Sequence, residues 1–167
     1  ASPCPLPPGS AYRQSPGRQG KLPEAPVKEA PVRILFDTNV VLDVLLDRPP
    51  HAEHAARLMA LVEGRRIEGL LGATTVTTVH YLASKARGSA GGRRLIQMLL
   101  SLFEVAPVDG KVLRDALGLE FRDYEDAVLH EAARHAGAVG LVTRDPKGFV
   151  RARLRVYGPE ELLRIAE

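Results

Sequence analysis

A chain of 167 residues with 45% apolar side chains has material for one buried core, which excludes a disordered chain and leaves no natural division into two domains. The formal charge is +3, but the first 31 residues carry four basic groups against two acidic ones. The remainder is therefore near balance, and overall charge gives no argument for nucleic-acid binding. Cys4, the only cysteine, lies in that N-terminal stretch, so an intrachain disulfide and a zinc site built on thiolates are excluded. No apolar run approaches a membrane span and none reads as a secretory signal, so a cytoplasmic protein with no membrane partner is expected.

Residues 1–31 hold eight of the 13 prolines and little apolar periodicity, which predicts a flexible tail ahead of one domain over 32–167. The run Val32–Phe36 suits a buried strand, and Val40–Leu46 continues as a helix. Ala55, Leu58, Met59 and Val62 recur at helical spacing, which predicts a helix over His51–Gly64 closed by its glycine. Leu70–Leu71 reads as a short strand. Thr74–Ala86 and Arg93–Leu102 read as two helices with a glycine-rich stretch, Gly88–Gly92, between them. Strands are expected at Phe103–Val108, Val139–Thr143 and Arg153–Tyr157. Helices are expected at Asp109–Leu117, at Tyr124–His135 and after Pro159. This alternation predicts an α/β fold: a mostly parallel central sheet with helices on both faces.

Two aspartates follow predicted strands directly, Asp37 after Ile34-Leu35-Phe36 and Asp145 after Leu141-Val142-Thr143. Ligands of open parallel sheets bind beyond the carboxyl ends of the strands, so both positions point to one edge. Asp123 and Asp126 lie three apart at the start of a helix, on one face and near its positive end. Each acid alone is explained by capping: Asp37 or Asn39 ahead of one helix, Asp123 ahead of another, and Asp145 before Pro146. For Asp123 capping is the favoured reading. Taken together, converging carboxylates repel unless a cation neutralises them, and an all-oxygen set suits Mg²⁺ or Mn²⁺.

The stretch Ile34-Leu35-Phe36-Asp37-Thr38-Asn39-Val40-Val41-Leu42-Asp43 resembles the opening motif of PIN domains. Glu125-Asp126-Ala127-Val128 with its alanine-rich continuation to Gly137, and Val142-Thr143-Arg144-Asp145, are similar to that family's third and fourth motifs. Phe121-Arg122-Asp123-Tyr124-Glu125-Asp126-Ala127 further resembles an acid-rich branch with an extra aspartate before the third motif. Over residues 33–165 the motifs stand in order. The resemblance implies a PIN-like fold and a metal-dependent endoribonuclease of the VapC toxin type, held by a small antitoxin protein. Asp37, Asp126 and Asp145 would be the catalytic, metal-binding carboxylates, and Asp123 an added ligand. Asn39 and Thr143 would be supporting polar residues, with Mg²⁺ or Mn²⁺ as cofactor. RNA would be the substrate, Arg144 and Lys147 beside Asp145 would meet it, and a homodimer is implied as well.

Two departures from the family pattern bear on activity. The helix Thr74–Ala86 usually brings a glutamate, yet no Asp or Glu occurs between Glu68 and Glu104, where Thr77, Thr78 and His80 are the nearest polar residues. Gly148 stands where relatives often carry another acid. These departures keep open a catalytically weakened PIN-like module that binds RNA or regulates. A phosphatase of the haloacid-dehalogenase type with Asp37 as nucleophile is disfavoured, because that class needs an aspartate where Asn39 stands. His51 and His54, three apart, read as a solvated helix face, and His130 as a surface residue on the stripe Asp123–Asp126–His130–Arg134.

Overall fold

The structure is a computed structural model and describes residues 31–167; the predicted tail up to residue 30 lies outside the described part. Five strands form an all-parallel sheet in the order β3-β2-β1-β4-β5. They are β1 (Val32–Phe36), β2 (Ile67–Gly72), β3 (Glu104–Ala106), β4 (Gly140–Val142) and β5 (Arg155–Tyr157). Among the described residues six α-helices accompany them: α1 (Thr38–Leu45), α2 (Ala52–Glu63), α3 (Ala73–Leu102), α4 (Gly110–Leu117), α5 (Tyr124–His135) and α6 (Pro159–Ala166).

The side-chain alternation of the strands builds two cores. Ile34, Phe36, Leu71 and Val142 face one side and pack with α1, α2, α3 and α6. Leu35, Leu70, Ala106 and Leu141 face the other and pack with α4 and α5. Parallel strands need covering on both faces, and this chain supplies the covers unequally, four helices against two. No helix among the described residues is long and apolar enough to cross a membrane.

Strand β2 is longer than the sequence suggested, because Glu68, Gly69 and Gly72 interrupt its apolar pattern. Each has a local cause. Glu68 stands opposite Arg33 of β1 and pairs with it at 3.4 Å. A Cβ on Gly69 would meet the Phe103 ring at 2.6 Å, and one on Gly72 would strike Leu129. The two helices expected around Gly88–Gly92 run as one element broken only at Gly88, whose φ of 74° leaves the helical region. Gly92 stays helical and buried because a side chain there would collide with Ser84.

A candidate metal centre at the carboxyl edge of the sheet

Strands β1 and β4 are neighbours, with Phe36 opposite Val142, and the Asp37 N–H donates to the Val142 carbonyl at 3.0 Å. The residues that follow the two strands therefore meet. The Thr143 hydroxyl donates to Asp37 Oδ2 at 2.6 Å and accepts the Asp145 N–H at 3.0 Å. The Asn39 amide donates to the same Asp37 oxygen at 2.7 Å and to Thr143 Oγ1 at 3.2 Å, while its carbonyl accepts the Arg144 N–H at 3.1 Å. Asp37 occupies the N-cap position of α1, yet its side chain caps nothing. Its carboxylate is held by side chains and is only 6% exposed.

Asp123 and Asp145 do cap. Asp123 Oδ1 accepts the Glu125 N–H at 2.8 Å at the start of α5, and Asp145 Oδ1 accepts the Lys147 N–H at 3.2 Å at the short 3-10 turn Pro146–Phe149. In each case one carboxylate oxygen is used by the cap, so capping and a place in the cleft coexist.

Asp37, Asn39, Asp123, Asp126 and Asp145 line one cleft of about 370 Å³, together with Arg48, Thr78 and Glu125. Burial raises the Asp37 pKa against the lowering pull of its Thr143 and Asn39 hydrogen bonds. Asp126 is pushed up to about 6, first by burial and then by repulsion from Asp37, Asp123, Asp145 and Glu125. A carboxylate raised by its neighbours marks a place where negative charge converges without enough local compensation.

The supporting residues sort differently. Lys147 lines a second cleft of about 390 Å³ with Arg122 and Gly148, which shares Asp123, Asp126 and Asp145 with the first. Gly148 has a steric reason: a Cβ there would strike Asp126 Oδ2. Arg144 departs from the expectation that it flanks Asp145 toward substrate. Its Nε lies 3.1 Å from Asp43 Oδ2, and Asp43 is 1% exposed. Neither group has an aligned hydrogen bond, so the contact is a charge pair that neutralises a buried carboxylate rather than a free phosphate-binding arm.

His130 also differs from its expected place on a solvated stripe. It is fully buried; its Nε2 accepts the N–H groups of Arg153 and Leu154 at 3.0 and 3.3 Å, and its Nδ1 faces Glu131 Oε1 at 3.0 Å. It pins the entry of β5 to α5. Sequence reading passed over Arg48 and Arg122. Arg122 adjoins Asp123, and Arg48 precedes the Pro49-Pro50 pair, which restricts the backbone there.

A second acidic group lies elsewhere. Asp115, Glu131 and His135 place ligand-type atoms within 4.8 Å of one another, a closeness that no three acids of the cleft reach among the described residues. That group is already satisfied: Arg134 donates to both Glu131 oxygens, and Lys111 and His135 reach Asp115 at 2.7 and 2.9 Å. It is an ion-pair staple between α4 and α5.

Comparison with known proteins agrees with this geometry. The family model described as PIN domain matches residues 33–147. Among solved structures, VapBC2 from Rickettsia felis bound to a promoter DNA fragment is similar at 17% identity and a TM-score of 0.59, covering 76% of this chain and 98% of that one. FitAcB from Neisseria gonorrhoeae is similar at 24% identity and 0.60, covering 76% and 98%. VapC20 from Mycobacterium tuberculosis, described as a toxin that cleaves the sarcin-ricin loop, is similar at 14% identity and 0.54, covering 73% and 98%. The comparison with curated proteins returned no match. With a family match over more than half its length and this sheet carrying this acidic edge, the chain belongs to the PIN-domain family.

Proposed function

We propose that the protein is a metal-dependent endoribonuclease, the toxin of a toxin–antitoxin pair, with Asp37, Asp126 and Asp145 holding Mg²⁺ or Mn²⁺. The observation that carries this reading is the convergence of four aspartates on one cleft where the sheet's strands end. The donor set fits a hard cation: every candidate ligand is oxygen, and Asp126 is destabilised as an anion by the acids around it. When bound, such an ion would polarise a phosphodiester and offset the charge that builds up during its hydrolysis.

The chain's own residues do the rest. Thr143 and Asn39 fix one oxygen of Asp37 and leave the other free of side-chain hydrogen bonds, on a residue that lines the cleft. Asp145 keeps one oxygen on its cap and Asp123 does likewise, so each has an oxygen to give. Lys147 stands beside the acids as a phosphate-binding cation. The tight hold on Asp37 suits a ligand better than a nucleophile, which argues against the phosphatase alternative. One observation favours weak catalysis: the α3 side of the cleft offers Thr78 and no acid.

The described activity of the VapC20 relative and the antitoxin complexes among the similar structures support RNA as substrate and a small antitoxin as partner. Exposed Met98 and Leu100 on α3 give such a partner, or a second copy, apolar surface to cover. The test is cleavage of single-stranded RNA by purified protein with Mn²⁺. We expect slow cutting that EDTA stops and that Asp37→Asn abolishes. No cutting of any RNA by a wild type that also binds no metal would leave the non-catalytic module as the better reading.

A further inference from the structure

Arg48 is a cation placed among acids with no ion pair of its own among the described residues. It lines the cleft of Asp37, Asp123, Asp126 and Asp145, yet among the described residues no carboxylate lies within 4.0 Å of its guanidinium, a lack it shares with exposed arginines such as Arg93 and Arg94 that line no acidic cleft, and not with Arg33, Arg57, Arg134, Arg144 and Arg155. Its backbone is fixed on both sides. Asp47 before it takes a left-handed φ of 46°, rare for a residue with a side chain, and the Arg48 N–H donates to the Asp43 carbonyl at 3.0 Å. The Arg48 carbonyl accepts the His51 and Ala52 N–H groups, both at 2.9 Å, and Pro49 and Pro50 limit the chain after it. The turn's backbone bonds join α1 to α2, but among the described residues no acidic partner accounts for the arginine side chain that it delivers to an acidic cleft.

The acids themselves form a ridge. Asp123, Asp126 and Asp145 line both the cleft with Arg48 and the second cleft with Arg122 and Lys147. Positive charge therefore stands on either side of the ridge, and Gly148 puts no side chain across it. This is the arrangement a polyanionic strand needs to cross an acidic line: cations for the phosphates before and after, and a neutralised ridge beneath the one between.

We infer that single-stranded RNA crosses the ridge with one flanking phosphate held by Arg48 and the other by Lys147 and Arg122, making Arg48 a substrate-binding residue of the site. The inference rests on the reading of the ridge as a phosphodiester-cleaving centre.

The test is binding of a short fluorescein-labelled single-stranded RNA in Ca²⁺ over a series of KCl concentrations, followed by anisotropy. Arg48→Gln should weaken binding about tenfold at low salt and lower the slope of log K against log salt by ~0.7, one phosphate contact. Arg48→Lys should recover most of the slope, and Arg94→Gln, exposed on α3, should change neither. Mn²⁺ affinity, titrated separately, should be unchanged or tighter in Arg48→Gln, because a cation has left the site's rim. A slope equal to wild type, or weakened Mn²⁺ binding, would overturn the inference; the latter would make Arg48 a support for the acids. Failure of wild type to bind RNA would overturn it together with the choice of substrate. The expected slope change without any Mn²⁺ binding would support it and remove the metal reading alone.

Discussion

Two acidic groups on this domain hold similar residues and opposite electrostatics. At the α4–α5 contact, Glu131 and Asp115 meet Arg134, Lys111 and His135; burial pulls Glu131 upward, but hydrogen bonds from these side chains hold both carboxylates below their usual range. At the sheet edge, Asp37 and Asp126 are raised, Asp126 in part by four other carboxylates. The difference is partnership, since both groups include a buried acid. Acids whose charge is answered by cationic side chains stabilise the fold, and acids without such a partner are available to a ligand. Closeness alone misleads here: the tighter cluster is the stapled one.

The comparison can be broken most sharply at Asp126. Asp126→Asn should lower RNA cleavage by at least ~100-fold, the scale of losing one group that stabilises transition-state charge. In EDTA the same variant should melt no lower than wild type, because it relieves repulsion. A lower melting temperature there would mean that Asp126 supports the fold like the α4–α5 acids.

The converse substitution should behave in the opposite way. Glu131→Gln removes the anion that Arg134 grips and that faces His130, and should cost ~1–3 kcal/mol in urea unfolding. Its Mn²⁺ affinity should match wild type. Lost metal binding with an unchanged urea midpoint would reverse the two roles.

A pH series sharpens the structural side. Burial lowers the His130 pKa below its ordinary 6.5, and its Nε2 can accept two backbone N–H groups only while unprotonated. A depressed histidine adds no penalty above 6.5. Below it the unfolded chain takes up the proton first, so stability drops as pH falls from 6.5 through the folded value. Urea midpoints of wild type minus His130→Gln should therefore decline below pH 6.5, and a difference independent of pH would show that the imidazole is not titrating out of its site.

The smallest effect is expected at Asp123. Asn can cap as Asp does, so Asp123→Asn should leave thermal stability within a few tenths of a kcal/mol. Calorimetric Mn²⁺ affinity should fall, and an unchanged affinity would reduce Asp123 to its cap.

Much of this was legible in the sequence where local pattern and chemistry coincide. The strand Val32–Phe36 ahead of Asp37, the helix opening at Tyr124 and the strand expected over Val139–Thr143, observed as Gly140–Val142, came from apolar patterns with an acid at their ends, and the parallel sheet then aligned the two strands. What escaped depended on distant partners. Glu68 and the glycines of β2 looked like breaks because Arg33, Phe103 and Leu129, which explain them, lie far along the chain. His130 sits at surface-like spacing after Asp126, but the backbone N–H groups of Arg153 and Leu154 draw it inside. Arg144 looked free beside Asp145 because nothing in its neighbourhood announces that Asp43, over a hundred residues earlier, is buried and needs a cation. Arg48 was missed for the reverse reason: it lies beyond the helical pattern, and only the fold shows that it lines the acidic cleft with no acidic partner among the described residues.

The central claim, that the acids without a cationic partner and not the stapled ones form the metal site, is tested most directly by Mn²⁺ titration followed by electron paramagnetic resonance. Wild type should take up Mn²⁺, Asp37→Asn and Asp126→Asn should lose that uptake, and the double variant Asp115→Asn/Glu131→Gln should retain it while folded. Uptake that survives both cleft substitutions and disappears in the folded α4–α5 double variant would contradict the account.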